Sequence, residues 1–301
     1  MFLVGRSFAP INSGTRSHFG FNYDKQGRDW KVRCGERQSP IALWSCNSIT
    51  CDVPKLKFLN YHKSLSDPLS VINNGLTVLM RIPKTVDGSR PSICISTEGQ
   101  HVFEADQLHF HWGSALSKGS EHCLDGNYYD GEVHIVHKNA SYKSNKEAGM
   151  QPNGFAVLAL LIRNLEVGSA FTLYLYHTYT IATLFPSKDP NIETPAMNMI
   201  CKQVSSIAKL DDSCPLEDSM ALQDLFVSID SQKYFTYQGS LTTPPCAEAV
   251  IWFVFPTPLD VPKELWKHFW QLRDSRDQRV LNTYRELQDG HDRPVYRSKG
   301  K

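Results

Sequence analysis

The chain has 301 residues, 41% of them hydrophobic and 21% charged, with 32 Lys plus Arg against 31 Asp plus Glu for a formal charge of +1. Such a length buries a full core as one large domain or two average ones, and the composition excludes a disordered or collagen-like chain. Balanced charge argues against nucleic acid as the main partner, and no run of apolar residues is long enough for a membrane-spanning helix.

At the start of the chain only Phe2, Leu3 and Val4 are apolar in a row, too few for the core of a signal peptide. Short apolar runs then follow in order: LSVINNGLTVLM (69–80), QLHFHW (107–112), GEVHIVH (131–137), GFAVLALLI (154–162) and AVIWFVF (249–255). Most are rich in Val, Ile and Phe and bounded by Gly, Asn or Pro, as strands are. The run at 154–162 is apolar throughout, which suits a strand covered on both faces or a buried helix. Residues 262–272 place apolar side chains at 265, 266, 269 and 272, on one face of a helix, and 195–208 and 216–226 are further helical candidates. These elements make a strand-dominated α+β domain. The final RPVYRSKGK is polar and basic, unlike the hydrophobic tail that precedes a lipid anchor.

Eight cysteines, at 34, 46, 51, 94, 123, 201, 214 and 246, include no CxxC pair. An even number so spread reads as disulfides rather than as a zinc ribbon or redox motif, and favours a secreted, extracellular chain whose leader has been removed. The sequon Asn139-Ala140-Ser141 agrees with that route and makes Asn139 a candidate glycosylation site.

The chemistry concentrates in Gln107-Leu108-His109-Phe110-His111-Trp112-Gly113. On a strand, side chains two apart share a face, so Gln107, His109 and His111 project together, about 7 Å apart along the strand. A second run, Glu132-Val133-His134-Ile135-Val136-His137, puts Glu132, His134 and Val136 on one face and His137 on the other. If the two strands are neighbours, His109, His111 and His134 make a three-nitrogen metal site with an open fourth position. An isolated HxH among 11 histidines is common, but in-facing histidines on an apolar strand need a reason. Gln107 and Glu132, each two positions before a candidate ligand, are placed to accept an imidazole Nδ1 proton and fix the ring.

These residues resemble the α-class carbonic anhydrases. The resemblance rests on GERQSPI (35–41), INNG (72–75), FHWG (110–113), SEH (120–122), EVHIVH (132–137) and YQGSLTTPP (237–245), and runs from about His18 to about Val295. It implies one domain over 18–296, between terminal segments 1–17 and 297–301, built on a large, mostly antiparallel twisted central sheet with short peripheral helices. It implies Zn²⁺ on His109, His111 and His134, with Gln107 and Glu132 as partners of His109 and His134. It makes Thr242 the gatekeeper that accepts the proton of zinc-bound hydroxide and passes its own to Glu121. Thr243 would contact bicarbonate, and Val136, Val157, Leu241, Val250 and Trp252 would form the apolar wall for CO₂. The activity implied is reversible hydration of CO₂ to bicarbonate and a proton.

Two positions depart from the fastest members. Leu76 stands where those carry a proton-shuttling histidine, so turnover should be limited by proton export, and Phe21 stands for a tyrosine. Gln38 and Asn74 match polar residues of the cavity rim, and His18, His62 and His101 are candidate substitutes for the shuttle. Cys34 and Cys246 match positions that extracellular members join by a disulfide, with two buried thiols as the alternative. Cys46–Cys51 and Cys201–Cys214 are candidate local pairs. The Tyr-rich stretch 171–190 has no counterpart in the family pattern and reads as a surface excursion or a binding element. Near the end of the domain, the backbone carbonyl in Thr283-Tyr284-Arg285 is placed to orient His111. A purely structural zinc site would need a fourth protein ligand, and His122 and His137 are the candidates.

Overall fold

A computed structural model describes residues 20–32, 35–53, 56–97, 99–165 and 194–299. Among these, twelve strands form one twisted mixed sheet. Its middle is made of four long strands: Gly99–Trp112, Gly131–Asn139, Phe155–Leu165 and Val250–Pro262. The first three pair antiparallel in succession, and the third runs parallel to the fourth. Val78–Arg81, Ser70–Asn73 and Ser213–Pro215 extend the sheet on one side. Phe235–Gly239, Tyr296–Ser298 and Ile49–Cys51 extend it on the other. The helices are few and short, so the expected α+β architecture stands.

The run at 154–162 resolves to strand because both its faces are covered. Leu158, Leu160 and Ile162 enter the larger core, and Val157, Ala159 and Leu161 enter the smaller one on the opposite face. The helix Pro195–Gln203 packs Met197, Ile200 and Cys201 into the larger core. Full burial of side chains of this size is worth about 1.5–3 kcal/mol each for the larger hydrocarbons. The other helical expectations shorten. Residues 262–272 form one α-turn, Lys263–Trp266, which tightens into a 3₁₀ segment, Lys267–Gln271. In 216–226 only Leu222–Phe226 is helical, again 3₁₀.

One irregularity decides where the histidines point. Between Ala105 and Gln107 the pairing with Gly131–Asn139 shifts by one residue, a β-bulge at Asp106. Before the bulge the odd residues Phe103 and Ala105 face the larger core; after it the even residues Leu108, Phe110 and Trp112 do. The single extra residue reverses the alternation and turns Gln107, His109 and His111 to the other face.

Candidate active site

Beyond the bulge, His109 lies directly opposite His134, and His111 opposite Glu132. The strands are neighbours, and the three imidazoles converge. Their ring centres are 5.0 Å apart for His109 and His111, 5.1 Å for His109 and His134, and 4.5 Å for His111 and His134. One nitrogen from each can meet at a common ion.

Hydrogen bonds choose which nitrogen. His109 Nδ1 donates to Gln107 Oε1 at 2.9 Å, and His111 Nδ1 donates to the Thr283 carbonyl at 2.5 Å. His134 is held the other way round: its Nε2 donates to Glu132 Oε1 at 2.7 Å. Glu132 therefore fixes His134 through Nε2, where the sequence reading assigned Nδ1, and Nδ1 of His134 is the nitrogen turned inward. His111 Nε2 and His134 Nδ1 then face each other at 3.1 Å with their lone pairs. Glu121 Oε2, buried and without a hydrogen bond of ordinary geometry, lies 3.5 Å from the first and 3.9 Å from the second. Lone pairs so crowded call for a shared cation, and three neutral imidazoles suit a borderline-soft ion such as zinc.

The electrostatics agree. Burial pushes His109 well below the usual histidine range, His111 down to about 4, and lowers His134 too, so all three are neutral ligands at pH 7. Burial alone would raise Glu132, but His122 and His134 outweigh it and hold that carboxyl well below its ordinary value. Burial pushes Glu121 up to about 7, while the Thr242 hydroxyl and the Arg285 N–H, which donates to Oε1 at 2.8 Å, pull it down.

A small cleft opens over the imidazoles, lined by Val136, Val157, Leu241, Thr242, Thr243 and Trp252 among others. Val250, on the same face of its strand as Trp252, is fully buried in the smaller core and does not reach the cleft's surface. Trp252 is anchored by its indole N–H on the Ser240 carbonyl at 3.1 Å and stands 4.8 Å from the His134 ring. Gln38 is also corrected. It is buried, donating to the Cys246 carbonyl and Glu248 and accepting from Arg285, so it braces the 246–248 loop instead of forming the rim. Asn74 and Leu76 line a second, larger cleft with Phe21, Leu210 and Arg276. His62 and His101 line neither cleft, and His18 lies outside the described residues.

The two candidate fourth ligands are engaged elsewhere. His122 pairs with Glu132 Oε1 at 2.6 Å and with the Tyr237 hydroxyl at 2.8 Å, which donates in turn to Ser39 Oγ at 3.0 Å. The sequence reading gave His122, Tyr237 and Ser39 no part in this buried chain, although all three lie in the motifs SEH, YQGSLTTPP and GERQSPI. His137 lies end to end and nearly coplanar with Tyr61, and its Nε2 accepts the Tyr61 hydroxyl at 2.5 Å.

Cys34 and the stretch 171–190 lie outside the described residues. Cys46 and Cys51, and Cys201 and Cys214, stand as separate thiols; Cys201 is sunk in the core while Cys214 turns its thiol to Gln203 Oε1 at 3.3 Å. Asn139 is only 4% exposed, and its amide nitrogen donates to the Asn153 carbonyl at 3.1 Å. In this fold that nitrogen is buried and already engaged, which leaves little room for a glycan.

A profile of the eukaryotic-type carbonic anhydrases matches residues 24–179 and 176–299. Carbonic anhydrase 6 of Homo sapiens is 33% identical over 300 residues, 98% of this chain and 86% of its own length. Carbonic anhydrase 6 of Canis lupus familiaris is 32% identical over 272 residues, 89% and 74% of the two chains. The mitochondrial carbonic anhydrase 5B of Mus musculus is 29% identical over 269 residues, 88% and 74%. The chain belongs to the eukaryotic-type carbonic anhydrase family. It is an enzyme, a carbonate dehydratase whose substrates are CO₂ and bicarbonate. Among the described residues, no helix is long and apolar enough to cross a membrane.

Proposed function

We propose that this chain is a zinc enzyme whose ion is held by Nε2 of His109, Nε2 of His111 and Nδ1 of His134. The observation that carries this is the set of three hydrogen bonds to Gln107, Thr283 and Glu132, which leaves those three nitrogens unprotonated and turned to one point. Zinc bound there supplies a water acidic enough to serve as a nucleophile near neutral pH.

The surrounding residues order the rest. Thr242 lies beside the Glu121 carboxyl, so its hydroxyl donates a hydrogen bond to that carboxyl and turns an acceptor lone pair into the cleft. This admits a donor and sets its orientation. Val136, Val157, Leu241 and Trp252 offer the uncharged CO₂ a dry wall beside the imidazoles, and Thr243 offers bicarbonate a hydroxyl. Each turnover releases a proton. Leu76, buried in the second cleft, carries no titratable group, so export of that proton limits turnover and passes to dissolved buffer.

The resemblance of Cys34 and Cys246 to a pair bridged in extracellular family members supports secretion, with that bridge pinning the Thr242 loop to the segment before Gln38. Peptide mapping without reduction tests that bridge. Zinc content per chain, measured beside CO₂ hydration with and without an aromatic sulfonamide, tests the catalytic reading. One zinc per chain and sulfonamide-sensitive hydration are expected; a metal-free active chain would overturn it.

A further inference from the structure

The Asn-Asn-Gly turn between Ser70–Asn73 and Val78–Arg81 leads from the second cleft back to the metal site through one side chain. Asn73 Oδ1 accepts the Gly75 N–H at 2.9 Å, and Asn74 Oδ1 accepts those of Leu76 and Thr77 at 3.0 and 2.9 Å. Gly75 is left-handed, with φ of 83°. This turn delivers Thr77, which is buried, against Phe110, the residue between His109 and His111. The Thr77 hydroxyl donates to the Phe110 carbonyl at 2.5 Å and accepts the Phe110 N–H at 3.1 Å.

The position of this clamp matters. Residue-to-residue pairing of Val78–Arg81 with the long strand covers Gln107, Leu108 and His109 and stops there. On an antiparallel strand the N–H and C=O of one residue point to the same side. Those of Phe110 therefore point toward the shorter strand, beyond the last paired position. One hydroxyl, with one proton to give and lone pairs to receive, satisfies both. Without it two buried backbone groups, flanked on each side by a candidate ligand, lose their partners.

We propose that Thr77 is a positioning residue for the metal centre: its hydroxyl, clamped on both backbone groups of Phe110, sets the spacing of His109 and His111. This rests on the zinc reading above. Thr77→Val removes the hydroxyl and keeps the branched shape; Thr77→Ser keeps the hydroxyl; Thr77→Ala is a smaller second test. Zinc dissociation into a chromophoric chelator is measured for each, with the visible spectrum of the cobalt-loaded protein and the melting temperature of the metal-free form. The expected result is zinc loss accelerated by about tenfold or more in T77V and T77A, with an altered cobalt spectrum, and both restored to within about twofold by T77S. A T77V or T77A protein that melts lower when metal-free, yet keeps the wild-type dissociation rate and cobalt spectrum, overturns the proposal. So does failure of both variants to fold, which would make the hydroxyl a folding determinant only. A wild-type chain that holds no zinc overturns the zinc reading itself.

Discussion

The two clefts differ in a way their sizes hide. The one over the imidazoles is much the smaller, and the one at the Asn-Asn-Gly turn the larger. In the smaller, His111 and His134 are buried and His109 nearly so, each ring is fixed by one hydrogen bond, and the nitrogens left over aim inward. In the larger, the charges satisfy one another. Arg276 grips Asp24 through both terminal nitrogens, and its Nε reaches Asp274 at 2.7 Å, all at the exposed lip. Reactivity in this molecule follows unspent bonding capacity under burial, and volume is a poor guide to it.

That contrast can be broken at several points. The largest effect is expected for His109→Ala, which removes a ligand with no substitute nearby: zinc per chain should fall close to zero and CO₂ hydration by at least about a thousandfold. Retained zinc would mean that the small cleft is not the metal site. Next comes Glu132→Gln, which keeps the shape and removes the charge that orders His134. Zinc affinity should drop about 10–100-fold by chelator competition, and an unchanged affinity would detach that carboxylate from the ion.

In the larger cleft the expected change is a gain. Leu76→His places a titratable ring beside solvent and should raise kcat roughly tenfold at low buffer with kcat/KM unchanged. Imidazole buffer should do the same for the wild type, and indifference to both would show that proton export is not limiting. His137, on the same strand as His134 but facing the opposite core, gives a smaller effect of a different kind. Burial lowers it from 6.5 to about 4. The unfolded chain then binds more protons between those values, so stability is complete above pH 6.5 and declines toward pH 4, by roughly 3 kcal/mol for this group. His137→Gln should remove one proton's worth of that slope in pH-dependent unfolding; an equally steep acid limb would place the loss elsewhere. The smallest effect belongs to Arg276→Ala, whose half-exposed ion pairs should contribute only about 0–1 kcal/mol to thermal unfolding and nothing to zinc content. A loss of zinc there would join the two clefts that the contrast separates.

Much of the small cleft was legible because its signal is periodic. Two-residue spacing puts Gln107, His109 and His111 on one face whatever the rest of the chain does. The bulge at Asp106 was not legible, since no single residue announces it, yet it decides which core that face meets. The partner nitrogen of His134 was likewise a matter of ring orientation, set by Glu132 in three dimensions. Gln38 was misplaced because a polar residue type says only that it needs a partner, and several sites in a large sheet offer one. The helix at 262–272 was marked by its apolar spacing, which a 3₁₀ segment satisfies over so short a length.

The Thr283 carbonyl that aligns His111 lies 172 positions downstream of it. During synthesis residue 283 must therefore leave the ribosome before this imidazole can be locked, so on the zinc reading metal loading waits for it. Nascent fragments that end before that threonine should take up zinc weakly, if they fold at all.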